Sequence, residues 1–223
     1  MKDLLLFPKK SHRKKIKIPR CSHSLAEFLG IIFGDGSINN PWQLIVTLNG
    51  TSDAEYALYV AKIAEKLFGL KGRIRKRKNR NASVVVLSSA ELVDFLVKNG
   101  MARGNKVRDS VSIPKWIKSN PTLRKYFVRG LVDTDGCLHI HKPNNVTRKQ
   151  PYIGLCFTSF NKNLVEIVDE VLNENKIRAR QTTNGKNVFV YRQKDINRYI
   201  DVVGASNSRI LNVYNKWRDV RVA

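Results

Sequence analysis

A helical phrase occurs twice in this chain, one hundred positions apart, and it constrains the fold more than any other feature. The first copy reads LAEFLGIIFGDGSI from Leu25 to Ile38, and the second LRKYFVRGLVDTDGCLHI from Leu123 to Ile140. Superposition pairs Gly30 with Gly130, Gly34 with Thr134, Asp35 with Asp135 and Gly36 with Gly136. Each copy is an apolar helix with two small residues four apart, ending in Asp-Gly. Residues four apart share a helical face, and small residues there let two backbones approach closely. Packed through those faces, by Gly30, Gly34, Gly130 and Thr134, the helices bring two aspartates side by side.

That placement is unfavourable without a partner. A helix C-terminus already carries partial negative charge, and two carboxylates brought together repel. A hard divalent cation relieves both, since Mg²⁺ commonly takes one or two carboxylates together with phosphate oxygens. A single Asp-Gly usually does no more than end a helix and begin a turn. Two copies at matched offsets point beyond that.

The charge balance names the partner. The chain has 41 Lys and Arg against 18 Asp and Glu, a net charge of +23, and 42% hydrophobic residues, enough for a packed core. Such an excess marks a polyanion-binding protein, with nucleic acid ahead of an anionic membrane surface. No apolar stretch reaches the length of a membrane span. Cys21, Cys137 and Cys156 are unclustered, which fits a reducing compartment and no disulfide framework. His139 and His141 share a strand face without further ligands nearby in sequence, and read as polar contacts. Lys2 to Arg20 holds eight basic residues and lacks the apolar core of a secretory signal; it reads as a flexible basic arm lying on phosphates.

The likeness between halves continues past the repeated phrase. QLIVTLN, a helix from Asp53 to Phe68, GRIRKRK, ASVVVLSS and a helix from Ala90 to Asn99 follow the first copy. YIGLCFTS, a helix from Asn161 to Asn173, IRARQ, NVFVYRQ and a helix from Asp195 to Val203 follow the second. Each half therefore reads αββαββα, an α+β fold of two pseudo-symmetric half-domains packed through the repeated helices. The expected division is a basic arm over 1–22, half-domains over 23–112 and 122–223, and a linker over 113–121. Ser24 with Glu27, Ser52 with Glu55 and Ser88 with Glu91 have capping-box spacing. Asn120 and Pro121 open the second repeated helix, and Gly69 and Gly100 read as helix stops.

Strand alternation separates an apolar face from an arginine-rich one. Arg73, Arg75 and Arg77 share one side, as do Arg178 and Arg180; Gln43, Thr47 and Asn49 oppose Leu44, Val46 and Leu48. Arginine and glutamine on such a face suit base edges in a DNA groove. The candidate DNA contacts are Ser37, Asn39, Gln43, Thr47, Arg73, Arg75, Arg77, Lys78, Arg80, His139, His141, Lys142, Arg148, Arg178, Arg180 and Arg192.

FLGIIFGDG (Phe28 to Gly36), VRGLVDTDG (Val128 to Gly136) and the phrase IPKWIKSNPTLRKYFVRGLVDTDG resemble the LAGLIDADG homing endonucleases in their single-chain, two-motif form. The resemblance covers nearly everything after residue 22. It implies a monomer with pseudo-two-fold symmetry whose two antiparallel, saddle-shaped sheets straddle double-stranded DNA over roughly twenty base pairs. It implies Mg²⁺-dependent cutting of both strands across the minor groove to leave short 3′ overhangs, with Mn²⁺ or Ca²⁺ able to replace Mg²⁺ in binding. No membrane and no obligate protein partner are implied, and the setting is intracellular: a prokaryotic cytoplasm or nucleoid, or an organelle matrix.

The family's metal-binding acid falls on Asp35 and Asp135, with Gly34 and Thr134 beside them at the metal. Asp133 has Phe33 as its counterpart, so that position needs no acid in both copies; it reads as a local hydrogen-bonding or solvated residue. Phe33 and Gly34 depart from the commonest spelling of the motif without removing a ligand. A basic residue usually assists each site. The candidates for such support are Asn49 in the first half and Thr158, Ser159, Lys142 and Lys194 in the second.

The alternative is a DNA-binding regulator or an RNA maturase on the same fold. A regulator would be expected to bring a helix-turn-helix domain and to lose the acids. Here both acids are present, and the chain ends twenty residues after Val203. A maturase would be compatible with both acids. An endonuclease embedded in an intein is disfavoured by the start at Met1, the lack of a flanking splicing domain and the Val-Ala ending.

Overall fold

The computed structural model describes residues 13–104, 111–142 and 151–222; Arg148 and the first part of the basic arm lie outside them. The first half runs α1 (His23–Asp35), β1 (Gly36–Asn40), β2 (Gln43–Asn49), α2 (Ala54–Phe68), β3 (Arg73–Lys76), β4 (Ala82–Ser88) and α3 (Ala90–Lys98). A short α4 (Lys115–Lys118) precedes the second half: α5 (Pro121–Asp135), β5 (Gly136–His141), β6 (Tyr152–Thr158), α6 (Lys162–Glu174), β7 (Arg180–Gln181), β8 (Asn187–Val190) and α7 (Gln193–Val202). Each half forms a four-stranded antiparallel sheet, ordered β1-β2-β4-β3 in one and β5-β6-β8-β7 in the other. The αββαββα order therefore holds in both halves.

A final helix, α8 (Ser208–Val222), was not expected from the sequence. Its signal was present: Ile210, Tyr214 and Trp217 recur at helical spacing and are buried. Asn207 ahead of it accepts a hydrogen bond from the Arg209 N–H at 3.0 Å.

Helix starts show where local rules gave way to distant partners. Asn120 accepts from the N–H groups of Thr122 and Leu123, with Pro121 in the first turn, as its sequence implies. The other three caps shift. Ser22 rather than Ser24 caps α1, and Ser89 rather than Ser88 caps α3, each accepting from the N–H three residues on. Asp53 occupies the cap of α2 but makes no side-chain cap bond. The glutamates are drawn away: Glu91 accepts from the Ile16 N–H at 3.0 Å, and Glu27 turns into the interior. Gly69 closes α2 at φ 70°, whereas α3 is capped by Asn99, with Gly100 following at φ 89°.

The described part of the basic arm is a docked strap. Ile16 is buried, Lys17 N–H bonds the Phe68 carbonyl at 3.0 Å, and Ser89 bonds the Lys14 carbonyl at 2.7 Å. Apolar Ile16 among lysines gives this segment an anchor that a purely solvated arm lacks.

The two halves meet along α1 and α5. A methyl built on Gly30 would lie 3.1 Å from the Gly130 Cα, and one on Gly130 would lie 2.7 Å from the Ile31 nitrogen. The helices thus touch backbone to backbone, which only glycine allows here. One turn further on, a methyl on Gly34 would lie 3.0 Å from the Thr134 Cβ.

Candidate metal and nucleic-acid site at the helix seam

Because α1 and α5 cross so closely, their C-terminal ends converge. Asp35 and Asp135 are the last residues of the two helices, each half-buried. Asp135 reaches across the seam: its Oδ2 lies 3.2 Å from where a side chain on Gly34 would begin. Gly34 is therefore small because Thr134 first, and then the Asp135 carboxylate, fill the space a side chain would need. The Thr134 hydroxyl donates back into its own helix, to the Leu131 carbonyl at 2.9 Å and the Gly130 carbonyl at 3.1 Å.

A cleft of about 260 Å³ opens beside Asp135, lined by Phe33, Gly34, Thr158, Ser159, Phe160 and Asn161 among others. Thr158 and Ser159 thus share the cleft with the acid, and the Thr158 hydroxyl donates to Asn187 Oδ1 at 2.7 Å. Asn49 is committed locally: its Oδ1 accepts from the Thr51 and Ser52 N–H groups at 2.9 and 3.0 Å. Lys142 stands at the far end of β5, roughly 20 Å from Asp135 at the rise of a strand, and Lys194 lies on α7 beside Lys176 and Arg198. Neither reaches the cleft. Lys186, which the sequence analysis did not single out, touches two of the residues that line it. Its carbonyl accepts from the Ser159 N–H at 2.9 Å, and its Nζ lies 4.8 Å from the centre of the Phe160 ring. The NGK turn before β8 was the available signal.

Beside the acids, the seam has one apolar and one polar edge. Phe33 of α1 meets Phe127 of α5 edge-on, ring centres 5.5 Å apart. The symmetry-related positions are Asp133 and Glu27, both buried. Glu27 accepts from Tyr59 at 2.7 Å and Ser206 at 2.6 Å, with Arg129 at 3.8 Å. Asp133 accepts from the Ser206 N–H at 2.8 Å. It is a hydrogen-bonded residue as expected, but neither local nor solvated. Arg209 completes the edge: it bonds Asp53 at 3.0 Å and the carbonyls of Asp133 and Gly136 at 3.1 Å, so it grips α5 on either side of Asp135. Asn207 joins the same groups, at 2.9 Å to Asp53 and 3.0 Å to the Asp133 carbonyl. The segment 203–209 thus supplies the partners of the polar edge, where the paired positions on the apolar edge are Phe33 and Phe127.

Burial pushes the Asp133 carboxyl up to about 8, with the nearby Glu27 carboxylate adding to the rise, while the Ser206 N–H and Arg129 oppose it. A raised folded value means that Asp133 favours the fold at low pH and that this contribution is lost as pH rises from about 4 to about 8. Asp133→Asn mimics the neutral form. The thermal midpoint of the variant relative to the native protein is expected to climb between about pH 5 and about pH 8. Parallel pH curves for the two proteins would contradict the assignment.

The outer sheet faces carry most of the candidate contacts. Ser37, Ile45, Val86 and Arg73 form one cross-strand row; Thr47, Val84 and Arg75 form another. A bulge sets Asn40, not Asn39, opposite Gln43, and leaves Asn39 exposed. Arg77, Lys78 and Arg80 follow β3 in the turn, and all three are exposed. On the second sheet His139 faces Gly154, and His141 stacks on Tyr152 at 4.4 Å. Arg180 lies opposite Phe189, Arg178 precedes β7, and Arg192 is 3.6 Å from Asp195 at the start of α7. Among the described residues, no helix is long and apolar enough to cross a membrane.

Two half-domains joined by glycine-packed helices, each helix ending in an acid beneath a four-stranded sheet, define a two-motif α+β fold. Comparison with known proteins gives the family. A LAGLIDADG-like domain model matches residues 122–211, and the WhiA LAGLIDADG-like domain model matches residues 25–108. The chain belongs to the LAGLIDADG family and carries both motifs in one polypeptide.

Among curated proteins, the replication factor C small subunit of Methanocaldococcus jannaschii is 29% identical over 192 residues, 85% of this chain. An A-type ATP synthase subunit of Pyrococcus abyssi is 33% identical over 125 residues, 55% of this chain. The matches take in 10% and 12% of those proteins, so the chain aligns with about a tenth of their length. Among solved structures, the homing endonuclease I-DmoI with DNA and Mn superposes with a TM-score of 0.52 at 17% identity, over 82% of this chain and 97% of that one. Full-length DUF199/WhiA from Thermatoga maritima gives 0.53 at 14% identity, over 90% of this chain and 63% of that one. At those identities the likeness is one of fold.

Proposed function

We propose that this protein is a site-specific double-strand DNA endonuclease that uses divalent metal, Mg²⁺ in the first instance. The observation that carries the reading is the convergence of the α1 and α5 ends that carry Asp35 and Asp135, with Asp135 Oδ2 3.2 Å from the Gly34 side-chain position. Two carboxylates suit an ion that takes its remaining ligands from phosphate and water. Among the described residues no three His, Cys, Asp or Glu side chains are gathered to enclose a metal, so the donor set fits an ion shared with DNA better than a structural one. Bound there, divalent ions would activate a water against the scissile phosphate and steady the leaving oxygen. The chain's own part is to hold the two acids rigidly through the glycine contact. Arg209 fixes the end of α5, and Lys186 offers positive charge beside Ser159 and Phe160 of the cleft.

The outer sheet faces, with a net charge of +23 behind them, are the proposed DNA surface, engaged by a monomer. If roughly 6–10 phosphates are neutralised, log K against log salt should slope near −5 to −9. A slope shallower than about −2 would rule out so broad an interface. A unit that aligns with a small part of two proteins as unlike as a replication factor and an ATP synthase component behaves as a mobile insertion, which supports a homing role.

A second reading is favoured by one observation, the match of the first half to the WhiA model: a DNA-binding regulator without cleavage. Incubation of a randomised duplex library with Mg²⁺, followed by sequencing of cut ends, separates the two. The nuclease reading expects one enriched site with short 3′ overhangs. Enrichment by binding, with every duplex intact, would establish the regulator.

A further inference from the structure

We propose that Cys137 and Cys156 form an oxidisable dithiol on the outer face of the second sheet, and that closing it to a disulfide weakens DNA binding by that face. The DNA part rests on the function proposed above; the chemistry of the pair does not. The two cysteines are directly opposed across β5 and β6. Directly opposed residues in an antiparallel pair have Cα atoms about 4.5 or about 5.5 Å apart, within the span of about 4.4–6.8 Å that a disulfide bridges. Both thiols are free, with Cys137 exposed and Cys156 partly so. The fold does not need sulfur there. The same register in the first sheet pairs Ser37 with Ile45.

The pair is placed to matter. Cys137 follows Asp135 by two residues, and Cys156 Sγ lies 3.5 Å from the hydroxyl of Thr158, which lines the Asp135 cleft. Cys156 also lies opposite Phe189, and Phe189 opposite Arg180, so one row runs from the thiols to the edge arginine. Opposed Cβ atoms sit about 4.5–5.5 Å apart, against about 3.8 Å in a disulfide. Closure must therefore draw β6 toward β5 and shift that row. A bond formed against the sheet's own spacing is also readily reduced, which suits a switch.

With a hydroperoxide as oxidant, the exposed Cys137 sulfur attacks a peroxide oxygen; the O–O bond breaks and, for hydrogen peroxide, water leaves with the thiol proton. The Cys156 sulfur then displaces hydroxyl from the resulting sulfenic acid. The S–S bond forms as the S–O bond breaks, and a second water leaves. Two electrons pass from the thiols to the peroxide, and an added dithiol reverses the change.

The test treats the full chain with hydrogen peroxide. It maps crosslinked peptides by mass spectrometry, and titrates reduced and oxidised protein against a labelled duplex taken from the library selection. The expected result is a Cys137–Cys156 crosslink lacking two hydrogens. Affinity should fall at least about fivefold, the low end for loss of one base contact, and dithiothreitol should restore it. Cys137→Ser, which copies Ser37 of the first half, and Cys156→Ser should each lose crosslink and redox response, while Cys21→Ser keeps both. Absence of the crosslink, or a crosslink with unchanged affinity, overturns the proposal. Failure of the reduced protein to bind any duplex would instead sink the DNA reading, with the crosslink still scored by mass.

Discussion

Gly130→Ala is expected to destabilise the protein by at least about 3 kcal/mol, the upper end for overpacking. The sign runs against helix propensity, which favours alanine over glycine by about 1 kcal/mol in a helix interior. What reverses it is the neighbour. The added methyl would meet the Glu27 carbonyl and come within 2.7 Å of the Ile31 nitrogen, both backbone atoms of the facing helix. No side chain can swing aside to relieve such a clash, so α1 and α5 must separate and their apolar faces lose contact. Gly154→Ala is the control, because its methyl would make only ordinary van der Waals contacts, with His141 Nε2 at 3.4 Å, the Val190 carbonyl at 3.6 Å and Tyr191 at 3.8 Å; its effect should stay within about 1 kcal/mol. Urea unfolding midpoints of the two variants give the comparison. A neutral or stabilising Gly130→Ala would mean that the helices are not packed backbone to backbone.

The second large effect concerns chemistry. Asp35→Asn combined with Asp135→Asn should reduce DNA cleavage at least about a thousandfold, since each amide keeps the shape of the acid but loses the charge that binds and orients a divalent ion. Affinity for the selected duplex should stay within about tenfold, because the sheet faces that carry the phosphate contacts are untouched. A further sign distinguishes this account from a structural role for the acids. Both carboxylates sit at helix C-termini, where the dipole and their mutual repulsion disfavour them. Without metal, the double variant should therefore be at least as stable as the native protein. Loss of stability together with loss of DNA binding would show that the acids hold the fold rather than the ion.

The parts of this molecule legible in its sequence are those written by local repetition. Matched phrases gave the two halves, their αββαββα order and the apolar faces of Leu44, Val46 and Leu48. What the sequence hid depends on contacts between distant residues. Glu27 has the spacing of a capping box, yet its partners are Tyr59 and Ser206. Asp53 begins a helix, yet its carboxylate serves Asn207 and Arg209 across the interface between halves. No window of neighbouring residues records such pairings. One clue did exist: the exchange of Phe33 with Asp133 and of Glu27 with Phe127 shows that one edge of the seam is apolar and the other polar. Reading both substitutions together would have called for a polar segment to fill that edge, which the stretch before α8 supplies. The placement of the basic candidates for support was hidden for a simpler reason. Lys142 follows the second motif closely in sequence but stands beyond the far end of β5, Lys194 lies on α7, and Lys186 arrives by way of the β7–β8 hairpin.

The most direct measurement is anomalous scattering from manganese in crystals of the protein bound to its selected duplex. A peak at the seam, about 2.1 Å from a carboxylate oxygen of Asp35 or Asp135 and in contact with a DNA phosphate, is the expected result. Ordered DNA across both sheets with no metal at either aspartate would contradict it.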